Sequence, residues 1–157
     1  MILRDYCPET DLAGLRACVV ALQDYESGLD PRFPDGASIV DAYVPDILKR
    51  CETYKGKIIV ADVDGEVAGY AMIWASVKSE EIEDGGFEAA RLADLAVLEK
   101  YRRQGIATAL IEAAENYARD QGATCLHIGV MAANRRAQAV YAASGYGPFA
   151  MKLEKRL

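Results

Sequence analysis

The chain has 157 residues, of which 52% are hydrophobic and 27% are charged, and its formal net charge is −6. This size suits one soluble domain over residues 1–157. The excess of acidic residues argues against a nucleic-acid partner, and no apolar run approaches the roughly 20 residues that a membrane span needs. One histidine, four widely spaced cysteines and an N-terminus without an apolar signal predict a cytoplasmic protein with reduced thiols and no metal site.

The first half of the chain is expected to hold a strand, two helices and a hairpin. Residues 1–6 have the pattern of a short strand, and a helix with one apolar face opens at Pro8. A loop rich in breakers leads to a second helix from Ser38 to about Tyr54, which Pro45 should kink or split. Two apolar runs around Asp64-Gly65 then predict a β-hairpin.

The second half, after an acidic loop, alternates strands and helices. The predicted elements are strands at 89–98, 124–131 and 149–156, and helices at 106–121 and from the cap Asn134 to about Ser144. The order β-α-α-β-β-β-α-β-α-β predicts an α/β fold, with a mixed sheet and helices on its faces.

The stretch RRQGIAT (102–108) places two arginines at a helix start that already carries partial positive charge. Small residues at Gly105 and Ala107 would let the backbone N–H groups of residues 103–108 converge on one anion, such as a phosphate. The spacing fits neither a Walker A loop nor a dinucleotide fingerprint. Taken alone, the pattern favours an ordinary helix start with surface arginines.

The sequence around this stretch resembles the GNAT acyltransferase superfamily, whose members bind acetyl-CoA. Its first signature is Leu-x-Val, a short loop, and [Gln/Arg]-x-x-Gly-x-[Gly/Ala] at a helix start; its second is Asn, Ala, an aromatic residue and Gly-[Phe/Tyr]. The matching residues, in order and spacing, are Leu95, Val97, Arg102, Gly105 and Ala107, then Asn134, Ala137, Tyr141, Gly145 and Tyr146. Two departures are Glu99, where many members have Pro, and Arg103, where many have Gly.

The resemblance implies a GNAT fold and an enzyme that transfers the acetyl group of acetyl-CoA directly to a primary amine in a ternary complex, without a metal. In the family, the strand equivalent to 93–97 separates from that equivalent to 126–130, and the pantetheine arm pairs with the exposed edge. The residues implied in cofactor binding are Leu95, Ala96, Val97, Arg102, Arg103, Gln104, Gly105, Ile106, Ala107, Thr108, Asn134, Ala137 and Tyr141.

The resemblance also implies catalytic roles. Tyr141 matches the family's usual general acid, which protonates the departing thiolate, and the Val97 N–H is a candidate oxyanion donor. Asp94, the only acid on its strand, is equally a candidate general base and a structural hydrogen-bond acceptor. His127 is a weaker candidate for the base, and a water chain is a further one.

The acceptor pocket of similar folds is built from the two early helices, their connecting loop and the segment before the strand at 91–97. Here these parts carry acids and aromatics, namely Asp24, Tyr25, Glu26, Asp30, Phe33, Glu80, Glu81, Glu83 and Asp84. Such residues suit a cationic substrate, and Tyr25, Glu26 and Phe33 are the expected contacts. The acceptor classes are a polyamine, an aminoglycoside-like compound, an amino-acid amine, and a protein lysine or N-terminus.

Two other functions remain open at this point. One is a non-catalytic domain that binds or senses acyl-CoA, and the other is a nucleotide-phosphate binder of another fold. The presence of Tyr141 favours catalysis over the first. Homodimers are frequent among similar proteins, although no segment of the chain indicates an interface.

Overall fold

A computed structural model describes residues 1–157. Its five strands and four helices are β1 (Ile2–Asp5), α1 (Pro8–Leu29), α2 (Gly36–Thr53), β2 (Gly56–Val63), β3 (Glu66–Lys78), β4 (Glu88–Val97), α3 (Ile106–Asp120), β5 (Leu126–Ile128) and α4 (Arg135–Ala143). Two short 3-10 turns lie at Ile82–Asp84 and Glu99–Tyr101. The predicted α/β class is confirmed.

The five strands form one mixed sheet in the order β1-β2-β3-β4-β5. The first three pairs are antiparallel, and β4 pairs with β5 in parallel. The predicted hairpin joins β2 to β3, and its turn residues Asp64 and Gly65 have φ of 53° and 86°, as a tight two-residue turn requires. Strand β3 lies at the centre of the sheet, with β1 and β2 on one side and β4 and β5 on the other.

Helices cover both faces of the sheet. Residues of α1 and α2 such as Leu15 and Ile47 pack with Tyr70 on one face, and residues of α3 such as Leu110 and Ile111 pack on the other. All of these side chains are buried, and burying one Leu or Ile side chain stabilises the fold by about 1.5–3 kcal/mol. None of the helices combines the length and the hydropathy needed to cross a membrane.

The second helix differs in detail from the prediction. It begins at Gly36 rather than Ser38, where Asp35 caps it by accepting a hydrogen bond from the Ser38 N–H at 2.8 Å. It also runs through Pro45 as one helix. A Cβ at Gly36 would lie 2.5 Å from the Val20 carbonyl oxygen, so only glycine lets α2 start this close to α1.

The strand predicted at 149–156 is wrong, because the chain forms no strand after α4. The apolar residues behind that prediction, Phe149, Met151 and Leu153, are 76%, 83% and 86% exposed. Their neighbour β5 is also shorter than the predicted 124–131. A three-residue edge strand offers few backbone partners, and no layer covers the alternating side chains, so neither hydrogen bonding nor burial stabilises a sixth strand.

Candidate active site

Strand β4 is paired with β5 over only part of its own length, because β5 is three residues long. The parallel register ends at Leu92 and Ile128, whereas β4 stays paired with β3 as far as Val97. The Leu98 N–H donates to the β3 side at 2.9 Å, and N–H directions alternate along a strand, so the N–H groups of Leu95 and Val97 face the unpaired edge. An extended ligand can therefore hydrogen-bond to the part of β4 that continues beyond the end of β5.

The start of α3 leaves its backbone donors free. The N–H groups of residues 103–108 donate to no acceptor in the protein, and the N-cap Gly105 supplies no capping side chain. By contrast, Asp35 caps α2 and Asn134 caps α4 through the Ala137 N–H. Free N–H groups at a helix N-terminus bind anions, which the helix dipole also favours.

Two arginines stand beside these donors. The Arg102 Nε donates to the Val97 carbonyl oxygen at 3.0 Å, which ties the helix start to the edge of β4. Arg103 has φ of 61°, a left-handed conformation that costs a residue with a Cβ about 1 kcal/mol, and Gly105 follows with φ of 78°. Neither arginine forms an ion pair. Both charges are therefore available to an anion.

The unpaired edge, the α3 start and α4 together line a cavity of about 460 Å³, which we call the donor groove. The predicted cofactor residues in its wall are Leu95, Ala96, Val97, Arg102, Arg103, Gly105, Ile106, Ala107, Thr108, Asn134, Ala137 and Tyr141. Gln104 is not among them, because its side chain is exposed and reaches the Lys100 carbonyl oxygen at 3.5 Å.

Other groove residues were missed by sequence reasoning. They are Ala21, Leu22, Tyr101, Arg136 and Val140, and Tyr25, expected at the substrate, joins them. The Arg136 guanidinium lies 4.5 Å from the centre of the Tyr25 ring, a cation–π contact between α4 and α1. Two arginines after the Asn134 cap were a signal for Arg136, but nothing in the sequence indicated which face of α1 meets the groove.

A smaller cavity of about 170 Å³, which we call the acid cavity, adjoins the donor groove. The two share Leu22, Leu95, Asn134, Ala137 and Tyr141. Two carboxylates, Glu26 from α1 and Asp94 from β4, line the acid cavity, and no lysine or arginine does. Its remaining wall is mostly apolar, from Val19, Ile39 and Val130 among others. The cavity therefore suits a cation.

Asp94 is held by two tyrosine hydroxyls. Tyr43 donates at 3.0 Å to Oδ1 and at 2.9 Å to Oδ2, and Tyr70 donates at 2.7 Å to Oδ2. Burial raises the pKa of the Asp94 carboxyl, against the opposing effect of the two hydroxyls. Burial and the charge of Asp94 in turn raise the pKa of Tyr43 and Tyr70, so both remain donors at neutral pH.

Glu26 and Tyr141 also line the acid cavity, and neither the Glu26 carboxylate nor the Tyr141 hydroxyl forms a hydrogen bond within the protein. Burial raises the pKa of Glu26, and the charge of Asp94 raises it further. Burial, with the charges of Glu26 and Asp94, raises the pKa of Tyr141 to about 12. Tyr141 therefore keeps its proton at neutral pH, as a proton donor at the junction of the two cavities must.

Several other predicted residues lie elsewhere. Phe33 is 41% exposed and lines neither cavity. His127 stacks between Phe87 and Phe149, with ring centres 5.8 and 4.5 Å away, in a separate cavity. The other six acids also lie outside both site cavities. Asp24 accepts from the Gly36 N–H, Asp30 pairs with Arg32, and Asp84 lines the His127 cavity. Glu80, Glu81 and Glu83 line neither site cavity.

The site therefore combines three features: an unpaired strand edge, an uncapped helix start beside it, and an acid cavity that adjoins both. These features suit a protein that brings an anionic ligand and a cationic one together. The sequence profile described as the acetyltransferase (GNAT) family matches residues 22–146. The chain therefore belongs to the GNAT family of acetyltransferases, which confirms the resemblance seen in its two signatures.

Relatives of known sequence or structure agree with this assignment. The chain is 30% identical over 97 residues to the uncharacterized N-acetyltransferase YhfO of Bacillus subtilis (strain 168), and this match covers 62% of each chain. It is 36% identical over 69 residues to an N-alpha-acetyltransferase of Sulfurisphaera tokodaii, over 42% of this chain and 41% of that protein. The matches thus span less than two thirds of these relatives. A mutant of the BH1408 protein from Bacillus halodurans has the same fold, with a TM-score of 0.81 at 18% identity over 100% of this chain and 99% of that one.

Proposed function

We propose that the protein is an N-acetyltransferase that moves the acetyl group of acetyl-CoA to a primary amine by direct transfer. The observation that carries this proposal is the junction of two cavities of opposite chemistry at Tyr141. The donor groove offers N–H groups and arginines to an anionic ligand, and the acid cavity offers carboxylates to a cationic one.

The residues of the donor groove fit acetyl-CoA. The free N–H groups of residues 103–108, with Arg102 and Arg103, would hold the pyrophosphate. The unpaired edge at Leu95 and Val97 would pair with the pantetheine arm, and the Val97 N–H would polarise the thioester carbonyl. Bound there, acetyl-CoA supplies the acetyl group as an activated thioester.

Tyr141 is the proposed proton donor to the sulfur. Tyr141 lines both cavities, and its hydroxyl carries its proton at neutral pH, because its pKa is raised to about 12. The amine must also lose a proton before its nitrogen can attack, since an alkylammonium has a pKa near about 10. Asp94 and Glu26 are the two carboxylates close enough to the acid cavity to receive it.

The acceptor is proposed to be a cationic primary amine. The acid cavity is smaller than the roughly 300–1,000 Å³ of pockets for drug-sized ligands, so it would take only the amine end of a large acceptor. A polyamine meets this description, as does an aminoglycoside-like compound or a protein amine held by one arm. The name of the Sulfurisphaera tokodaii relative adds a peptide N-terminus to the acceptors that deserve assay.

A thiol-release assay with acetyl-CoA over a panel of such amines tests the proposal. We expect turnover with at least one amine, and we expect Tyr141→Phe to lower kcat by about 100-fold or more while calorimetry shows acetyl-CoA affinity nearly unchanged. Tyr146→Phe is the matched control, because the Tyr146 hydroxyl donates to Glu115 outside both cavities. Binding of acetyl-CoA without turnover on any amine would favour the acyl-CoA-binding domain instead.

A further inference from the structure

We propose that Glu26 binds the acceptor ammonium and takes its proton, while Asp94 serves as a positioning residue that holds Tyr43 and supplies negative charge. This inference rests on the proposed function, since it assigns the proton acceptor for the amine. It decides between two carboxylates that line the same cavity.

The hydrogen bonds separate the two carboxylates. A carboxylate has about four acceptor positions, and Asp94 already accepts from two hydroxyls: the one proton of Tyr43 is shared between Oδ1 and Oδ2, and Tyr70 donates to Oδ2. Glu26 lies in the same wall and is half-buried, and its carboxylate accepts no hydrogen bond from the protein. An ammonium that enters the cavity therefore finds two unoccupied carboxylate oxygens on Glu26, whereas both oxygens of Asp94 already contact hydroxyls.

The charges around Glu26 favour the same role. The titratable groups that face it are Asp94 from β4, Tyr43 from α2 and Tyr141 from α4, and Gln23 is its polar neighbour on α1. No cation balances the two carboxylates. Burial and the charge of Asp94 raise the pKa of Glu26. A carboxylate with a raised pKa is a stronger base than an ordinary glutamate.

The step itself is one proton transfer. A proton moves from the ammonium nitrogen to a carboxylate oxygen of Glu26, which leaves a neutral amine with a free electron pair and a neutral carboxyl group. Glu26 then returns the proton to solvent. An alkylammonium with a pKa near about 10.4 is neutral in only about one molecule in two thousand at pH 7, so a bound base raises the reactive fraction greatly.

A series of amines of nearly equal size but falling pKa provides the test: ethylamine, 2-fluoroethylamine and 2,2-difluoroethylamine. We expect Glu26→Gln to lower kcat/KM for ethylamine by about 100-fold. The loss should shrink to less than about 10-fold for 2,2-difluoroethylamine, because a far larger fraction of that amine is already neutral and turnover depends less on the base. Glu52→Gln, which removes an exposed acid of α2 outside both cavities, is the matched control and should leave all three amines unchanged.

Calorimetry of ethylamine binding gives a second readout without turnover. We expect E26Q to weaken ethylamine binding at least about 10-fold, and E52Q to leave it unchanged. Wild-type affinity should rise with pH as Glu26 ionises, in a range above that of an ordinary glutamate, and E26Q should keep only the part of this rise that Asp94 contributes. If E26Q does not fold, Glu26→Asp, which keeps the carboxylate, should show the wild-type dependence on amine pKa.

Two results would overturn different parts of this scheme. A loss in E26Q that stays constant across the three amines would show that Glu26 does not take the proton, even if it binds the ammonium. Ethylamine binding through Glu26 by a wild-type protein that acetylates no amine would instead overturn the proposed function.

Discussion

The donor groove and the acid cavity share five residues yet have opposite polar character. In the groove the donors are mostly backbone N–H groups, which the start of α3 aims in one direction. In the acid cavity the polar groups are the side chains of Glu26 and Asp94. The comparison shows that secondary structure itself builds a site for an anion, whereas a site for a cation depends on which side chains the tertiary fold encloses.

Both regions also carry an unfavourable feature that a ligand would relieve. The groove has unpaired N–H groups and the left-handed backbone of Arg103. The acid cavity has two partly buried carboxylates whose pKa values are raised and which no cation balances. A pyrophosphate would satisfy the first and an ammonium the second, so each region can be tested by removing its own unfavourable feature.

The largest effect is expected from Gly105→Val in the donor groove. A β-branched residue at φ of 78° costs about 1–2 kcal/mol, and the loop would relax away from the conformation that aims the N–H groups. The new side chain would also occupy the open space beside the loop, where no protein atom lies within 4 Å of its Cβ. We expect acetyl-CoA affinity, measured by calorimetry, to fall about 100-fold, or about 2.7 kcal/mol.

The matched control is Gly122→Val, which follows the other end of α3. Gly122 has φ of 88° and is equally free of neighbours, so this change should lower stability by a similar amount without altering acetyl-CoA affinity. Normal affinity in G105V would mean that the N–H groups of residues 103–108 do not hold the cofactor.

An intermediate effect is expected from Asp94→Asn in the acid cavity. Because the folded-state pKa of Asp94 is raised, charging it destabilises the wild-type fold as pH rises from the ordinary aspartate pKa near about 4 through the raised value. D94N should lose this part of the decline and be at least as stable at pH 7, since its amide oxygen can still accept from Tyr43 and Tyr70. Its kcat/KM for amines should fall about 10-fold with the lost charge.

Urea unfolding across pH, with thiol release at pH 7, measures both effects. Asp41→Asn, at an exposed acid of α2, is the control and should change neither by much. A D94N protein that is clearly less stable than wild type at pH 7 would show that the hydroxyl contacts matter more than the buried charge.

The contrast between the two regions also explains what could be predicted from sequence. The anion site depends on local features, namely a glycine before a helix, adjacent arginines and an asparagine cap. Arg102, Gly105 and Asn134 could therefore be assigned to it once their spacing was matched to the two family signatures. The element order as far as α4, and the helices on both faces of the sheet, also followed from local sequence patterns.

The acid cavity depends on tertiary packing, and there the predictions were less successful. Glu26 and Asp24 stand two positions apart on α1, and the sequence could not tell that Glu26 faces the cavity while Asp24 accepts a hydrogen bond from the Gly36 N–H. Phe33 was expected at the substrate for its chemistry alone and is exposed. The final strand was expected from alternation at 149–156, but a strand also needs a partner edge and a covering layer, which periodicity does not report.

The smallest and most discriminating effect is expected from Arg103→Gly, because it removes strain and charge from the groove together. Glycine adopts φ of 61° freely, so the free energy of unfolding should rise by up to about 1 kcal/mol. The larger conformational entropy of glycine in the unfolded chain offsets part of this gain. Acetyl-CoA affinity should nevertheless fall about 3-fold at low salt, as one contact to the pyrophosphate is lost, and the difference should shrink as salt is raised.

Lys55→Gly is matched in both charge and conformation, with φ of 49°, but lies outside the groove, so it should gain stability without losing affinity. If R103G binds acetyl-CoA as tightly as K55G does, the Arg103 charge does not reach the ligand, and the backbone N–H groups and Arg102 hold the pyrophosphate without it.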